Sequence, residues 1–155
     1  MKKLIALLLI ATTIVACQPK ERMFVENKEL SPDVEWLKKD TREFKVPISD
    51  NSKPYNFSLT FRFANGFQYK TTKIKVTETS PCGKVTIKDY ELKIIDEKGE
   101  YIGEAGYDIW DSEHLVEPKK MFEEKGTYTY VIEHNMPIDP LNYAMEIGIV
   151  IDEIK

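Results

Sequence analysis

The sequence predicts an all-β fold: an antiparallel two-layer β-sandwich of jelly-roll-like type, with a closed β-barrel as the alternative. Two runs carry that expectation. From Tyr55 to Phe63 every odd position is apolar and every even one polar, and Tyr143, Met145, Ile147, Ile149 and Ile151 repeat the pattern near the C-terminus. Successive side chains of a strand point to opposite faces, so a period of two marks one face in the core and one in water. The third observation concerns helices. Only Pro118 to Lys125 offers even a short helical window. Six to eight strands with no helices between them pack as two antiparallel layers.

Taken in order, the chain opens with Met1-Lys2-Lys3, an unbroken apolar run from Leu4 to Ile10, and an uncharged stretch to Ala16. Basic, then apolar, then small is the order of a secretory signal peptide, too short for a stable transmembrane helix. Ile14-Val15-Ala16-Cys17 resembles the lipobox of bacterial lipoproteins. Residues 1–16 are therefore expected to be removed, leaving Cys17 as an acylated N-terminus. Residues 17–29 read as the lipidated start and a polar tether, and residues 30–155 as a single β-sandwich domain.

Within that domain, Ser31-Pro32-Asp33 forms a turn ahead of Trp36. Phe44, Val46 and Ile48 alternate around Pro47, which suits an edge strand. Asn65-Gly66 is a preferred two-residue hairpin pair. Beyond it the apolar phase moves from Phe67 and Tyr69 to Ile74 and Val76, which predicts a bulge or bend. Thr79 to Gly83 is a turn-rich break. Val85 to Ile95 is a strand with a phase change near Lys88-Asp89, and Asp96 to Gly99 is a hairpin turn. Glu104 to Glu117 is the least regular stretch and reads as a long loop. Thr127 to Glu133 and the run ending at Ile151 complete the strands.

Composition narrows the function classes. Loss of residues 1–16 leaves 139 residues, enough for one core. It also removes Lys2 and Lys3, taking the net charge from −4 to −6. Such a chain has no electrostatic footprint for nucleic acid, and repulsion from anionic lipid leaves the Cys17 acyl group as its evident membrane attachment. With Cys17 acylated, Cys82 is the remaining thiol, so no intramolecular disulfide is available.

No catalytic residue, metal site or cofactor is predicted. Gly103-Glu104-Ala105-Gly106 lacks the third glycine and the helix of a dinucleotide loop. Cys82 with His114 or His134 lacks an orienting third group. The acids from Asp96 to Asp111 lack the spacing of a calcium loop and read as a solvated face, and two histidines with one thiol cannot close a zinc site. Trp36, Tyr101, Tyr107 and Trp110 raise the alternative of a glycan- or peptide-binding module, since flat rings stack on sugars as well as pack in cores. Tyr107 and Trp110 are the candidate interaction loop, with Trp110 expected in the core and Tyr107 partly exposed.

A set of ordered motifs adds a resemblance. Trp36 ahead of Phe44-Lys45-Val46, the strand from Tyr55-Asn56-Phe57 to Arg62, and Thr79-Ser80-Pro81-Cys82-Gly83 are followed by Asp96-Glu97-Lys98-Gly99. Then come Gly103 through Asp108-Ile109-Trp110, Gly126-Thr127-Tyr128, Ile132 through Met136, and Ile147-Gly148-Ile149. Together with the lipobox, these resemble the gliding-motility lipoprotein GldH family. The resemblance implies a non-catalytic envelope component of the gliding machinery, tied to type IX secretion, whose partners are other envelope motility or secretion proteins. It transfers no catalytic residue. The single acid in Gln18-Pro19-Lys20-Glu21-Arg22 favours an outer-membrane protein facing the periplasm over a surface-displayed one.

Overall fold

The computed structural model describes residues 22–154. Eleven strands account for its regular structure: β1 (Arg22–Glu29), β2 (Glu35–Trp36), β3 (Arg42–Ile48), β4 (Tyr55–Ala64), β5 (Thr71–Thr79) and β6 (Val85–Lys93). They continue as β7 (Glu104–Ala105), β8 (Ile109–Lys120), β9 (Gly126–His134), β10 (Leu141–Asn142) and β11 (Ala144–Glu153). One sheet has the order β1-β11-β4-β8-β7 and the other β3-β9-β5-β6, with β2 and β10 as a two-residue ribbon. All pairings are antiparallel. Numbering only the eight long strands, the sheets read 1-8-3-6 and 2-7-4-5, the winding of a jelly roll. The sheets remain two open layers, so the barrel alternative does not hold.

The alternating runs explain the core. Phe57, Leu59, Phe61 and Phe63 of β4 face Ile132 and Tyr130 of β9 across the interior, all buried, and Phe57 and Tyr130 pack at 5.1 Å between ring centroids. Pro47 sits on β3, an edge strand, as its missing N–H requires. Asp96 to Gly99 forms the expected turn, closed by Gly99 N–H on the Asp96 carbonyl at 3.2 Å.

Several expectations are corrected. Arg22–Glu29, assigned to the tether, is a strand paired with β11, and Met23 and Phe24 pack on the core. Asn65-Gly66 is a turn but not a hairpin, because β4 and β5 belong to different sheets. Crossing between layers also accounts for the phase change after Phe67, with no bulge needed. Along β6 the register to β5 is continuous. Its inward positions are Thr86, Lys88, Tyr90 and Leu92, while Val85 and Ile87 face solvent at 58% and 61% exposure. The long loop over 104–117 is instead β7 and most of β8. Its inward positions are Trp110, Ser112, His114 and Val116, so two polar residues mask the period. The Pro118–Lys125 window is the end of β8 and a turn, with Phe122 buried.

On the outer face of the larger sheet, Asn27, Gly148 and Thr60 stand in register across β1, β11 and β4. The Thr60 hydroxyl donates to Asn27 Oδ1 at 2.6 Å, directly over Gly148. A Cβ at Gly148 would lie 1.9 Å from Asn27 Oδ1 and 2.3 Å from Thr60 Oγ1, so only glycine leaves room for this bridge.

Candidate functional site: an aromatic end of the sandwich

Cys17 lies outside the described residues. The other two predicted residues are brought together at one end of the jelly roll. Gly106 N–H donates to the Ile109 carbonyl at 2.7 Å, closing a tight β7–β8 hairpin with Tyr107 at its tip. Tyr107 is 99% exposed, more than expected, because nothing packs on the hairpin tip. Trp110 is half-buried rather than fully interior: β8 places it opposite Phe63, its ring centroid is 5.3 Å from that of Tyr101, and its Nε1–H donates to Asn65 Oδ1 at 3.0 Å.

The Asn65-Gly66 turn holds this end together. Asn65 N–H donates to the Asp108 carbonyl at 2.9 Å, and its side-chain amide reaches Asp108 Oδ1 at 3.2 Å. Gly66 N–H donates to the Tyr101 hydroxyl at 3.1 Å, which itself donates to the Phe67 carbonyl at 2.9 Å. Gly66 has φ of +102° and lies under the Tyr143 ring, where a Cβ would come within 3.1 Å. Tyr143 and Val34 both adopt left-handed backbone, φ 66° and 57°, and are joined by the Tyr143 N–H on the Val34 carbonyl at 2.8 Å. For a β-branched residue this conformation is strained, and such strain gathers at functional surfaces. Asp33, Val34, Ala64, Asn142 and Tyr143 line an open cleft of about 440 Å³ here. Asn65 and Tyr143 were missed as site residues, while Tyr101, one of the four aromatics singled out in the sequence, packs on Trp110. Asn65-Gly66 carried a turn signal, but nothing in the order of residues brings Tyr143 to it.

Acidic residues of the middle segment are engaged locally. Asp96 accepts the N–H groups of Lys98 and Glu100, and Asp111 holds Arg62 through two bonds of 2.7 and 3.0 Å while Arg62 also reaches Glu146 at 2.6 Å. No group of three or more metal-ligating side chains gathers among the described residues. The thiol–imidazole pairs do not form. Cys82 is exposed in the β5–β6 turn beside the Ser80 hydroxyl at 3.1 Å, His114 meets Ser112 at 3.0 Å, and His134 is buried against Trp36. Trp36 is wholly interior and cannot stack on a ligand.

A second polar cluster closes the open side between β8 and β6. Glu117 accepts from Lys88 at 2.5 Å, from Lys120 at 2.7 Å and from the Tyr90 hydroxyl, and Lys120 also pairs with Glu78 at 2.7 Å. Burial pushes the Glu117 carboxyl up, but the bonds from Lys120, Lys88 and Tyr90 outweigh it and hold the group down at about 2. A carboxylate so firmly ionised is a poor proton carrier near neutral pH. The cluster is an electrostatic clasp between the layers.

Residues 22–151 match the family described as GldH lipoprotein. The gliding motility lipoprotein GldH of Flavobacterium johnsoniae is 26% identical over 119 residues, covering 77% of this chain and 73% of its own length. A GldH homolog of Christiangramia forsetii is 25% identical over 117 residues, covering 76% and 70%. Among solved structures, a family GH115 4-O-methyl-α-glucuronidase specific for decorated arabinogalactans aligns at a TM-score of 0.44 and 10% identity. The alignment covers 88% of this chain and 18% of that enzyme.

Proposed function

Because the chain belongs to the GldH lipoprotein family, we propose that it is a non-catalytic, lipid-anchored envelope protein of the gliding machinery. It acts by docking to other motility or secretion subunits, in a system linked to type IX secretion. Residues 1–16 are the signal peptide, Cys17 is the acylated N-terminus, and the tether shortens to residues 18–21 because β1 begins at Arg22. The protein sits at the outer membrane facing the periplasm.

The observation that carries the docking reading is the exposed Tyr107 on a hairpin braced by Asn65, Tyr101 and Trp110. An aromatic side chain presented on a rigid frame is the usual anchor of a protein interface. The test is complementation of a deletion strain, scoring cell spreading and affinity capture of envelope partners by the wild type and by Tyr107→Ala. Tyr107→Ala should accumulate normally yet lose spreading and capture. Full activity of that variant would remove the docking role of this end. Incorporation of labelled palmitate by the wild type, and none by Cys17→Ala, tests the anchor. Glycan or peptide binding at the same loop is the second reading, favoured by Tyr107 standing beside the amide and carboxylate of Asn65 and Asp108. Retention of the wild type, but not Tyr107→Ala, on an immobilised glycan would select it.

A further inference from the structure

Resting on the anchor at Cys17 proposed above, we infer that the β8–β9 end of the sandwich lies on the bilayer surface. Met121 contacts the lipid, and the Tyr107 end points away. Four residues, 18–21, separate Cys17 from Arg22. A chain of that length spans at most about 18 Å even when fully extended. Arg22 pairs with Asp152, Asp152 with Asn56, and the neighbouring Tyr55 with Lys120, so the start of β1 shares an end of the fold with the β8–β9 turn. The opposite end holds Trp110, paired with Phe63, and the Tyr107 hairpin. Ten residues of β4 run between the two ends, a separation of about 30 Å.

The surface chemistry of the anchored end fits a phospholipid headgroup layer. Met121 projects there at 55% exposure. Lys119 and Lys125 are exposed beside it, and neither forms an ion pair among the described residues. The acids nearby are engaged: Glu123 with Lys84 at 2.6 Å, Glu124 with the Cys82 N–H at 3.0 Å, and Glu153 with Lys53. Residues 119–125 carry three lysines and two glutamates on a chain of net charge −4, so the tip is locally positive on an acidic protein. An apolar side chain flanked by exposed lysines, of which Lys125 also faces the Asp50 carboxylate, suits the boundary between acyl chains and anionic headgroups.

The test uses the full acylated protein in phosphatidylethanolamine vesicles containing a minor fraction of phosphatidylglycerol and a nitroxide-labelled lipid. With Cys17 acylated, Cys82 is the single reactive thiol, and it lies at the anchored end. A fluorophore on Cys82 is compared with one on Cys82→Ser/Met121→Cys and one on Cys82→Ser/Tyr107→Cys. The probes at 82 and 121 should lose most of their emission, and the one at 121 should also shift to the blue, while the probe at 107 keeps its emission. A vesicle-bound protein quenched equally or more strongly at 107, or unquenched at 82 and 121, would overturn the orientation. A wild type that does not float with the vesicles and labels at two cysteines overturns the anchor itself, and the inference with it.

Discussion

Replacing Gly148 with Ala tests how β1 is held to the sandwich. The new methyl would sit 1.9 Å from Asn27 Oδ1, 2.3 Å from Thr60 Oγ1 and 2.6 Å from the Glu26 carbonyl. All three contacts are far inside van der Waals distance, and the last is to backbone that cannot swing aside. Overpacking of this kind costs about 1–3 kcal/mol. Breaking the Thr60–Asn27 bond adds about 1 kcal/mol, less when its atoms turn to water. Against this, alanine restricts the unfolded chain and offsets about 0.4–1 kcal/mol. The net loss is about 1–3 kcal/mol, or roughly 4 °C in melting temperature for each kcal/mol in a domain near this size. Urea denaturation should show a lower midpoint with an unchanged slope. Adding Asn27→Ala should recover part of the loss, because one of the two side-chain clashes disappears. A Gly148→Ala protein as stable as the wild type would refute the account of why glycine stands in the middle of this sheet. The variant should also show faster amide exchange along Arg22–Glu29, the strand that follows the anchor proposed at Cys17, than in the core strands.

Other outcomes follow from the side chains described above. Tyr107→Ala should leave stability within about 0.5 kcal/mol, as for other exposed sites, and weaken partner capture about thirtyfold. Trp110→Ala, being half-buried, should instead lower stability by about 2 kcal/mol, read as a lower melting temperature. Glu117, displaced from 4.5 to about 2, contributes about 3 kcal/mol. That contribution is present above pH 4.5 and is lost as pH falls toward 2, so Glu117→Gln should flatten the acid limb of a melting-temperature profile. Burial on Trp36 pushes the His134 imidazole below 6.5, with Asp139 opposing and Lys38 reinforcing the shift. The unfolded chain then binds the extra proton, so stability should fall as pH drops below 6.5, and His134→Gln should reduce that slope, with the His114 imidazole, also pushed down by burial, supplying the rest.

The fold class was legible because the central strands obey one rule. In β4 and β11 the inward residues are large and apolar and most outward ones polar, so a period of two survives in the sequence. Where the inward residues are polar the signal fails: Ser112 and His114 in β8 hid a twelve-residue strand. Lys88 and Tyr90 point inward to Glu117, so β6 looked as though it changed phase while Val85 and Ile87 faced water. The Asn65-Gly66 pair announced a turn correctly, but a dipeptide does not say whether the next strand joins the same sheet. Tyr107 was legible as a loop aromatic. The bracing of its hairpin was not, since Asn65 and Tyr101 reach Asp108 and Trp110 through contacts between distant parts of the chain.

The sheet margins bear on how this protein meets others. A lipid-held chain is confined to a plane, where copies meet far more often than at the same amount in solution, and an unguarded strand edge would recruit its neighbour. Each margin is obstructed differently. β3 carries Pro47, which has no N–H to give, and β1 shifts register between Arg22 and Phe24. β7 is two residues long, and β8 beyond it is interrupted by two register shifts and Pro118. On β6, Lys88 turns inward to Glu117, so a strand added there would lie against a charged seam. Growth of either sheet by a visiting strand is thereby discouraged, and recognition is left to side chains at the ends of the jelly roll. A partner should therefore grip this protein by its loops, and the lipoprotein should stay monomeric at high surface density.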